Sequence, residues 1–168
     1  QYIATSPDGL SWTQRSYQKR TEDLWAIAYG NGRFVAAGDN GLVYTSGNGT
    51  SWTKRNAGTS RRFQGLAFGN GKFVGVGTLG RFYVSTDGVS WTQHGAPYAN
   101  MISVTYGNGL FVAGGVDRAL YTSPNGTAWT RVNIGTGDFY FWALTHTPSG
   151  FVGVGSRGNG INAKIFTS

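Results

Sequence analysis

The sequence contains no cysteine, so neither disulfides nor thiolate metal sites can stabilise the fold. Charged residues make up only 12% of the 168 positions, and no apolar run is long enough to cross a bilayer as a helix. No stretch shows sustained 3.6-residue periodicity, which argues against a helical solenoid. Glycine and aromatic residues are abundant instead, with 28 glycines and 15% Phe, Trp and Tyr. We therefore expect one turn-rich, all-β domain over residues 1–168, packed around aromatic side chains.

Acidic residues are scarce, with 7 Asp and Glu against 14 Lys and Arg, and the net charge is +7. Such an excess favours polyanionic partners, although it also serves solubility alone. The single glutamate, Glu22, could pair with Asp23 for glycoside hydrolysis, but adjacent side chains on an extended segment point to opposite sides. The two histidines, His94 and His146, lie in different repeats with no acid nearby. These shortages predict a protein that is not an enzyme and needs neither a metal nor a cofactor.

Landmarks return along the whole chain at a nearly fixed interval. Four tryptophans are spaced by 40, 39 and 38 residues: Trp12, Trp52, Trp91 and Trp129. A turn followed by a Phe-Val pair recurs with the same period, and the pairs are Phe34-Val35, Phe73-Val74, Phe111-Val112 and Phe151-Val152. Three of these turns read Gly-Asn-Gly, and the fourth is Pro148-Ser149-Gly150. A period of this size indicates a repeat architecture.

Each period contains four short runs of β-branched or aromatic residues bounded by Gly, Asn or Asp. In the second complete copy the runs cover 64–68, 72–77, 81–85 and 90–93, and Asn70-Gly71 suits a type I′ hairpin turn between the first two. Four antiparallel strands in about 40 residues are typical of a β-propeller blade. We predict about four blades, complete at 24–55, 63–94 and 101–132, with partial blades at 1–15 and 141–168.

The turn before each tryptophan is similar in all four copies. The four segments are Ser6-Pro7-Asp8-Gly9-Leu10-Ser11-Trp12, Ser46-Gly47-Asn48-Gly49-Thr50-Ser51-Trp52, Ser85-Thr86-Asp87-Gly88-Val89-Ser90-Trp91 and Ser123-Pro124-Asn125-Gly126-Thr127-Ala128-Trp129. They resemble the Asp-box, or BNR, repeats of sialidase-like propellers, although each is one residue shorter and two carry Asn for Asp. The resemblance implies a propeller in which this turn is structural and joins a blade's third and fourth strands. A fragment of a sialidase-like glycosidase is the competing interpretation.

Basic residues concentrate on one predicted face of the propeller, where strand four leads to the next blade and strand two leads to strand three. On the opposite face the basic residues are mainly Arg33 and Lys72. Variable loops on a rigid frame are the usual place for binding, and rings beside guanidinium groups suit sugars with acidic groups. We predict a lectin-like, carbohydrate-binding face formed by Arg20, Arg55, Arg61, Arg62, Arg81, Arg118, Arg157, Tyr17, Tyr98 and Tyr140. Nucleic acid is the less favoured polyanion, because no recognition helix or RNA-binding signature is present.

Both ends of the sequence match the third strand of the repeat, so one strand is in excess. The segments are 2–6 (YIATS) and 164–168 (KIFTS). Two arrangements satisfy this: a compact four-bladed ring whose last blade borrows 11–14, or a piece of a larger array whose open ends pair with other chains. The second arrangement predicts self-association through the terminal strands, and a structural subunit of an extracellular assembly or filament is an alternative function.

Two tryptophan turns fit the acceptor pattern for N-glycosylation, Asn48-Gly49-Thr50 and Asn125-Gly126-Thr127. The alternative is that Asn replaces Asp in the turn, because both side chains tolerate this geometry. We treat Asn48 and Asn125 as glycosylation candidates and expect an extracellular or cell-surface location.

Overall fold

The computed structural model of the chain describes residues 2–17, 22–95, 99–136, 138–157 and 163–167. The strands are β1 (Tyr2–Thr5), β2 (Thr13–Tyr17), β3 (Leu24–Gly30), β4 (Arg33–Gly38), β5 (Leu42–Ser46), β6 (Thr53–Asn56), β7 (Phe63–Gly69), β8 (Lys72–Gly77), β9 (Phe82–Ser85), β10 (Thr92–His94), β11 (Met101–Gly107), β12 (Leu110–Gly115), β13 (Leu120–Ser123), β14 (Thr130–Arg131), β15 (Phe139–Thr147), β16 (Gly150–Arg157) and β17 (Ala163–Thr167). Short 3-10 turns at Asp39–Gly41 and Thr78–Gly80 join the second and third strands of two repeats. No helix in the described ranges is long and apolar enough to cross a membrane.

Within the described residues these strands form five antiparallel sheets. We name them the N-terminal hairpin (β1–β2), sheet 1 (β3–β6), sheet 2 (β7–β10), sheet 3 (β11–β14) and the final sheet (β15–β17). In sheets 1 to 3 the strands lie in sequence order, which is the meander of a propeller blade. The first strands of consecutive sheets contact each other from β3 to β7 to β11 to β15. The predicted all-β propeller architecture, with four strands to a blade, is confirmed.

Strand boundaries differ from the predicted ones by up to two residues. The predicted fourth strand of the second copy, 90–93, is Thr92–His94 in the structure. Its start is delayed because the backbone N–H of Ser90 donates to the carboxylate of Asp87 at 2.8 Å and so belongs to the turn. The final sheet takes no strand from 11–14, since Thr13 and Gln14 pair with Thr5 and Ala4 in the N-terminal hairpin. The four-bladed ring with a borrowed strand is therefore not the arrangement that forms.

The Gly-Asn-Gly turns close the first hairpin of each sheet. Asn31, Asn70 and Asn108 have φ of 47°, 47° and 48°, and each is followed by a glycine that also has positive φ. This is the type I′ geometry that the sequence predicts. The asparagine also links sheets, because Asn31 Nδ2 donates to the carbonyls of Gly71 and Thr86 in sheet 2, both at 3.3 Å.

The tryptophan turns are closed by short polar side chains that point back at the backbone. Asp87 Oδ1 accepts the N–H groups of Val89 and Ser90, each at 2.8 Å, and Gly88 donates to Ser85 Oγ at 2.8 Å. Asn48 makes the same pair of bonds to Thr50 and Ser51 at 2.9 Å, so the amide oxygen substitutes for the carboxylate. The turn needs an oxygen acceptor at this position, and it does not need a charge.

The core lies between consecutive sheets. Between sheets 1 and 2, Val35 and Val43 pack with Phe63 and Tyr83, all of them at most 1% exposed. Between sheets 2 and 3, the ring of Trp129 stacks on Phe82 with 4.0 Å between ring centroids and 10° between ring planes. The tryptophan turn of sheet 3 therefore anchors that sheet on sheet 2.

One glycine in each of sheets 1 to 3 receives an aromatic ring from the next sheet. A Cβ added at Gly30, Gly69 or Gly107 would lie 2.0 Å from the Cγ of Phe68, Tyr106 or His146, respectively. His146 is half-buried and packs 5.0 Å from the ring of Phe151, so it takes the place of the aromatic residue in the other copies. His146 therefore serves as a packing side chain between sheet 3 and the final sheet.

Both ends of the series leave apolar side chains in contact with solvent. Ile27 and Tyr29 on β3 are 58% and 57% exposed, whereas Leu66, the counterpart of Ile27 in sheet 2, is 9% exposed. At the other end, Val154 and Ile165 of the final sheet are 43% and 74% exposed. In the sheets that have a neighbour on that side, the equivalent side chains are buried against it. Each end of the series of sheets therefore exposes an apolar surface of the kind that packs against another sheet elsewhere in the molecule.

Candidate functional site

The connections between strands two and three and those between consecutive sheets meet on one side of the molecule, which we call the loop face. Backbone bonds tie the two kinds of connection together: Asp39 N–H donates to Asp23 C=O at 2.9 Å, and Val116 N–H donates to Asn100 C=O at 2.9 Å. The backbones approach so closely that a Cβ added at Gly115 would lie 2.0 Å from the Asn100 oxygen. The two kinds of connection are therefore in direct backbone contact on the loop face.

A cavity of about 370 Å³ opens on the loop face of sheet 3. It is lined by Arg118, Arg131, Val132, Asn133, Ile134 and Gly135. Arg118 has a positive φ of 58°, and its N–H donates to the Phe139 carbonyl at 2.8 Å. Its guanidinium Nη1 donates to the Gly135 carbonyl at 2.9 Å, while Gly135 N–H donates to Asn133 Oδ1 at 3.0 Å. One guanidinium is thus oriented at the cavity wall, with a second one from Arg131 on the same lining.

A second cluster on the loop face neutralises its own charge. Arg62 Nε donates to Asp39 Oδ1 at 2.5 Å, and its guanidinium lies 4.7 Å from the ring centroid of Trp25. Trp25 Nε1 also donates to Asp39 Oδ1, at 3.1 Å. Burial would raise the pKa of Asp39, but hydrogen bonds from Asp23 N–H, Arg62 and Trp25, together with the Arg62 charge, outweigh it and lower the pKa. Arg62 is therefore a positioning residue between sheets rather than a free cation.

The other residues that the sequence predicts as ligand-binding are spread over several sheets. Arg55, Arg61 and Arg157 are exposed, Arg81 is half-buried, and half-buried Tyr140 packs 5.9 Å from the Trp142 ring. Arg20 and Tyr98 lie outside the described residues, as does the side chain of Tyr17. Of the predicted residues whose side chains the structure describes, Arg118 alone lines the cavity. Two lining residues were not predicted from the sequence: Arg131, which ends the fourth strand of sheet 3 at the position of Lys54 in sheet 1, and Asn133, at the position of Asn56.

The two acids that could form a carboxylate pair, Glu22 and Asp23, both take part in contacts with other segments. Glu22 Oε2 lies 3.3 Å from Lys54 Nζ, and Asp23 donates its N–H to Asp39 Oδ2 at 2.9 Å. In the described part of the chain no group of three or more His, Asp and Glu side chains is arranged to hold a metal ion.

The two glycosylation candidates both serve their turns. Asn48 is exposed and Asn125 is half-buried. Asn125 Oδ1 accepts the N–H groups of Thr127 and Ala128, both at 3.0 Å. Their side-chain amide nitrogens are not used in these bonds, and glycosylation at either position stays a prediction.

Comparisons with solved structures show the same fold at low sequence identity. A structure described as YCF48 bound to D1 peptide is 18% identical, with a TM-score of 0.65, over 89% of this chain and 55% of that chain. YCF48 from Cyanidioschyzon merolae is 16% identical, with a TM-score of 0.73, over 90% and 55%. The chain thus spans about half the length of both. The computationally designed Ika4 protein is 14% identical, with a TM-score of 0.62, over 90% of this chain and 95% of that chain.

Sequence comparison identifies the family directly. The search of curated proteins finds no match. The family model described as the DUF6242 beta propeller domain matches residues 6–133, from the first tryptophan turn to the cavity-lining segment of sheet 3. Because that match covers most of the sequence and agrees with the sheet order, the chain belongs to the DUF6242 beta propeller domain family.

Proposed function

We propose that this propeller chain is a non-catalytic binding module that holds anionic glycans on its loop face. The observation that supports it most is the cavity of about 370 Å³ that Arg118 and Arg131 line together. That volume is in the range of small-ligand sites. A planar guanidinium donates two parallel hydrogen bonds to a carboxylate or sulfate, so two of them suit a sugar that carries such groups.

The pairing of the arginines on the loop face supports a ligand site at the cavity. Arg118 uses one donor on the Gly135 carbonyl, and within the described residues its other guanidinium donors are left for a ligand. Arg62, by contrast, is paired with Asp39. Exposed Arg61 and Arg157, together with the net charge of +7, add a long-range attraction for anions.

Assignment to the Asp-box group and the absence of catalysis are parts of the same proposal. The side-chain oxygens of Asp8 and Asp87 accept backbone N–H groups of their own turns, which supports a structural use of the acid. The bonds from Ser90 and Val89 lower the pKa of Asp87 to about 2, so its carboxylate has no proton to donate near neutral pH. Asp8 and Asp87 serve turns, and Glu22 and Asp39 lie in ion pairs, so few of the seven acids remain for hydrolysis.

The test is binding of sulfated, carboxylated and neutral oligosaccharides to matched charge variants, measured by calorimetry across a salt series. Arg131→Gln removes one charge from the cavity and Lys72→Gln removes one from the opposite side. We expect Arg131→Gln to weaken binding of the anionic sugars by at least about tenfold, since charge-assisted bonds contribute about 1.5–3 kcal/mol. Equal weakening by both variants with steep salt dependence would contradict a specific site and indicate general polyanion binding.

The glycosidase interpretation has its own test. Glycan hydrolysis is screened with the unmodified chain and with the Glu22→Gln, Asp23→Asn double variant. We expect no turnover by either. Turnover that the double variant loses would contradict the non-catalytic proposal.

A protein segment is the second candidate ligand. It is favoured by the structural likeness to YCF48, one structure of which is described as bound to a D1 peptide. On this chain an acidic peptide would meet the same arginines. Including acidic peptides in the calorimetric series separates the two, because peptide binding that exceeds glycan binding and is lost in Arg131→Gln would favour the protein partner.

A further inference from the structure

Seven asparagines in the chain are each followed by glycine: Asn31, Asn40, Asn48, Asn70, Asn108, Asn125 and Asn159. Asn159 lies outside the described residues. An asparagine before glycine is chemically unstable, because the backbone nitrogen of a residue without Cβ approaches the side-chain carbonyl carbon of the asparagine without hindrance. The reaction replaces the amide by an acid, so each pair is a candidate site of spontaneous covalent change. The fold decides which pairs are free to react.

The pairs in the tryptophan turns are held at both reacting groups. The attacking nitrogen is engaged, since Gly49 N–H donates to Ser46 Oγ at 2.9 Å in a buried bond. The side chain is engaged too, because Asn48 Oδ1 accepts two N–H groups of the turn, both at 2.9 Å. The turn of sheet 3 repeats the first bond, from Gly126 N–H to Ser123 Oγ at 2.9 Å. Neither nitrogen can reach its asparagine until these bonds break.

The Asn40-Gly41 pair is restrained by the backbone around it. Gly41 N–H donates to the Arg61 carbonyl at 2.8 Å, and a Cβ added at Gly41 would lie 2.2 Å from the Thr59 backbone oxygen. The attacking nitrogen of this pair is therefore also engaged.

The hairpin turns leave the glycine nitrogen without a partner. Within the described residues, the backbone N–H groups of Gly32 and Gly71 make no hydrogen bond. Asn31, Asn70 and both glycines are exposed, and a Cβ added at either glycine would have nothing within 4 Å. These turns are therefore open to water and hold the attacking nitrogen in place by no bond of its own.

The two hairpin-turn asparagines differ in how firmly their side chains are anchored. Asn31 Nδ2 donates to the carbonyls of Gly71 and Thr86, both at 3.3 Å. Among the described residues Asn70 Nδ2 has a single partner, the Pro124 carbonyl at 3.5 Å, a distance at which such a bond is weak. Each of these turns faces a complete four-stranded sheet, and both read Gly-Asn-Gly. The difference therefore comes from contacts between sheets and not from the local sequence.

We propose that Asn70-Gly71 is a site of spontaneous deamidation in the folded protein, and that the bonds of Asn31 to sheet 2 slow the same reaction in a matching turn. Gly71 N forms a bond to Asn70 Cγ, the bond from Cγ to Nδ2 breaks, and Nδ2 leaves as ammonia with the proton of Gly71 N. The product is a cyclic imide. Water then adds to one of its two carbonyls and reopens the ring as aspartate or isoaspartate, so the reaction needs neither an oxidant nor a reductant.

The change affects the hairpin of sheet 2. Both products add one negative charge, and isoaspartate also adds a carbon atom to the main chain inside a two-residue turn. That turn joins β7 to β8 at the pair of Gly69 with Lys72. A longer main chain does not fit the type I′ geometry, so the modified hairpin is less stable. The site lies on the side opposite the loop face and is independent of ligand binding there.

The test follows the reaction in the folded chain at mildly alkaline pH by peptide mapping with mass spectrometry, using a separation that resolves aspartate from isoaspartate. Trypsin cuts after Arg33 and Lys72, so each turn is recovered in a peptide with a single asparagine. We expect Asn70 to react at least about fivefold faster than Asn31, which corresponds to about 1 kcal/mol of additional hydrogen bonding. In urea the two are expected to react at the same rate, since the bonds between sheets are then lost.

Two results in the folded chain would overturn the proposal. One is an Asn70 that stays intact, and the other is an Asn31 that reacts as fast as Asn70.

A pair of serine variants tests the protection in the tryptophan turn. Ser46→Ala removes the acceptor of Gly49 N–H, whereas Ser51→Ala removes a hydroxyl from the same turn and keeps that bond. We expect Ser46→Ala to speed the reaction of Asn48 by at least about fivefold and Ser51→Ala to leave it unchanged. A slow reaction at Asn31 in the same samples reports that the sheets remain folded. An Asn48 that reacts as fast as Asn70 in the unmodified chain would contradict the protective role of the turn.

Discussion

At the scale of single residues, close contact between sheets depends on positions that tolerate no side chain. Gly69 lies against the ring of Tyr106, and a Cβ there would be 2.0 Å from its Cγ. Gly69→Ala is expected to lower the free energy of unfolding by about 1–3 kcal/mol, because the core is overpacked. Gly47 has nothing within 4 Å of an added Cβ, so Gly47→Ala is the matched control. Urea unfolding of both variants checks this, and equal stabilities would show that the ring can move aside.

The acidic turns make stability depend on pH in a defined window. Hydrogen bonds from Ser90 and Val89 hold the pKa of Asp87 at about 2, below its ordinary value of 3.8. A depressed carboxyl pKa stabilises the fold above the ordinary value, and that contribution is lost as pH falls from 3.8 towards 2. The stability difference between the unmodified chain and Asp87→Asn should therefore shrink across this window in denaturant titrations. A difference that does not change with pH would refute the assignment.

Asn48 and Asn125 explain why the neutral variant is expected to fold. They hold the same turn position and accept the same two backbone bonds as Asp87. The choice between Asp and Asn at this position therefore changes the acid response of the protein and leaves the turn geometry intact.

At the scale of secondary-structure elements, the hairpin turns connect neighbouring sheets. Asn31 donates to two carbonyls of sheet 2, and among the described residues the side chain of Asn108 makes no such bond. Asn31→Gly and Asn108→Gly both preserve the positive φ that the turn needs. We expect Asn31→Gly to cost about 1 kcal/mol more than Asn108→Gly, in line with the net value of hydrogen bonds. Thermal unfolding measures both, and equal losses would mean that the inter-sheet bonds add nothing to stability.

The tryptophan turns should differ in stability according to what their rings cover. Trp129 stacks on Phe82, whereas Trp12 is 64% exposed. Trp129→Ala is expected to cost about 3 kcal/mol, within the range for truncating packed aromatic residues. Trp12→Ala should leave the unfolding free energy nearly unchanged at concentrations where the chain is monomeric. A large loss in Trp12→Ala under those conditions would show that its turn already has a packing partner.

The strands and turns can be predicted from the sequence because each depends on the conformational preferences of a few neighbouring residues. Asn70-Gly71 implies a type I′ turn through its backbone preferences alone, and the structure has that turn. The site is harder to predict, since Arg118 and Arg131 line one cavity only after the segment that follows Arg131 folds back and its Gly135 carbonyl accepts a hydrogen bond from Arg118. The ion pair between Arg62 and Asp39 was equally hard to predict from the sequence, because the two residues are 23 positions apart and belong to different sheets.

At the scale of the whole molecule, the same packing contacts recur between consecutive sheets. The first and last sheets each leave one packing surface uncovered among the described residues. Val154 and Ile165 at one end and Ile27 at the other are exposed, and among the described residues no further sheet covers them. The loop face and these two ends are different surfaces of the molecule.

The proposal that the loop face binds anionic glycans is tested most directly by mapping the contact on the isotope-labelled chain with NMR. A sulfated oligosaccharide is titrated while the backbone amide signals are followed. We predict that the signals of Arg118, Asn133 and Gly135 shift in a saturable way, while those of Asn31 and Asn70 on the opposite side stay in place. Saturable shifts confined to the hairpin turns, or no shifts at any concentration, would contradict the proposed binding face.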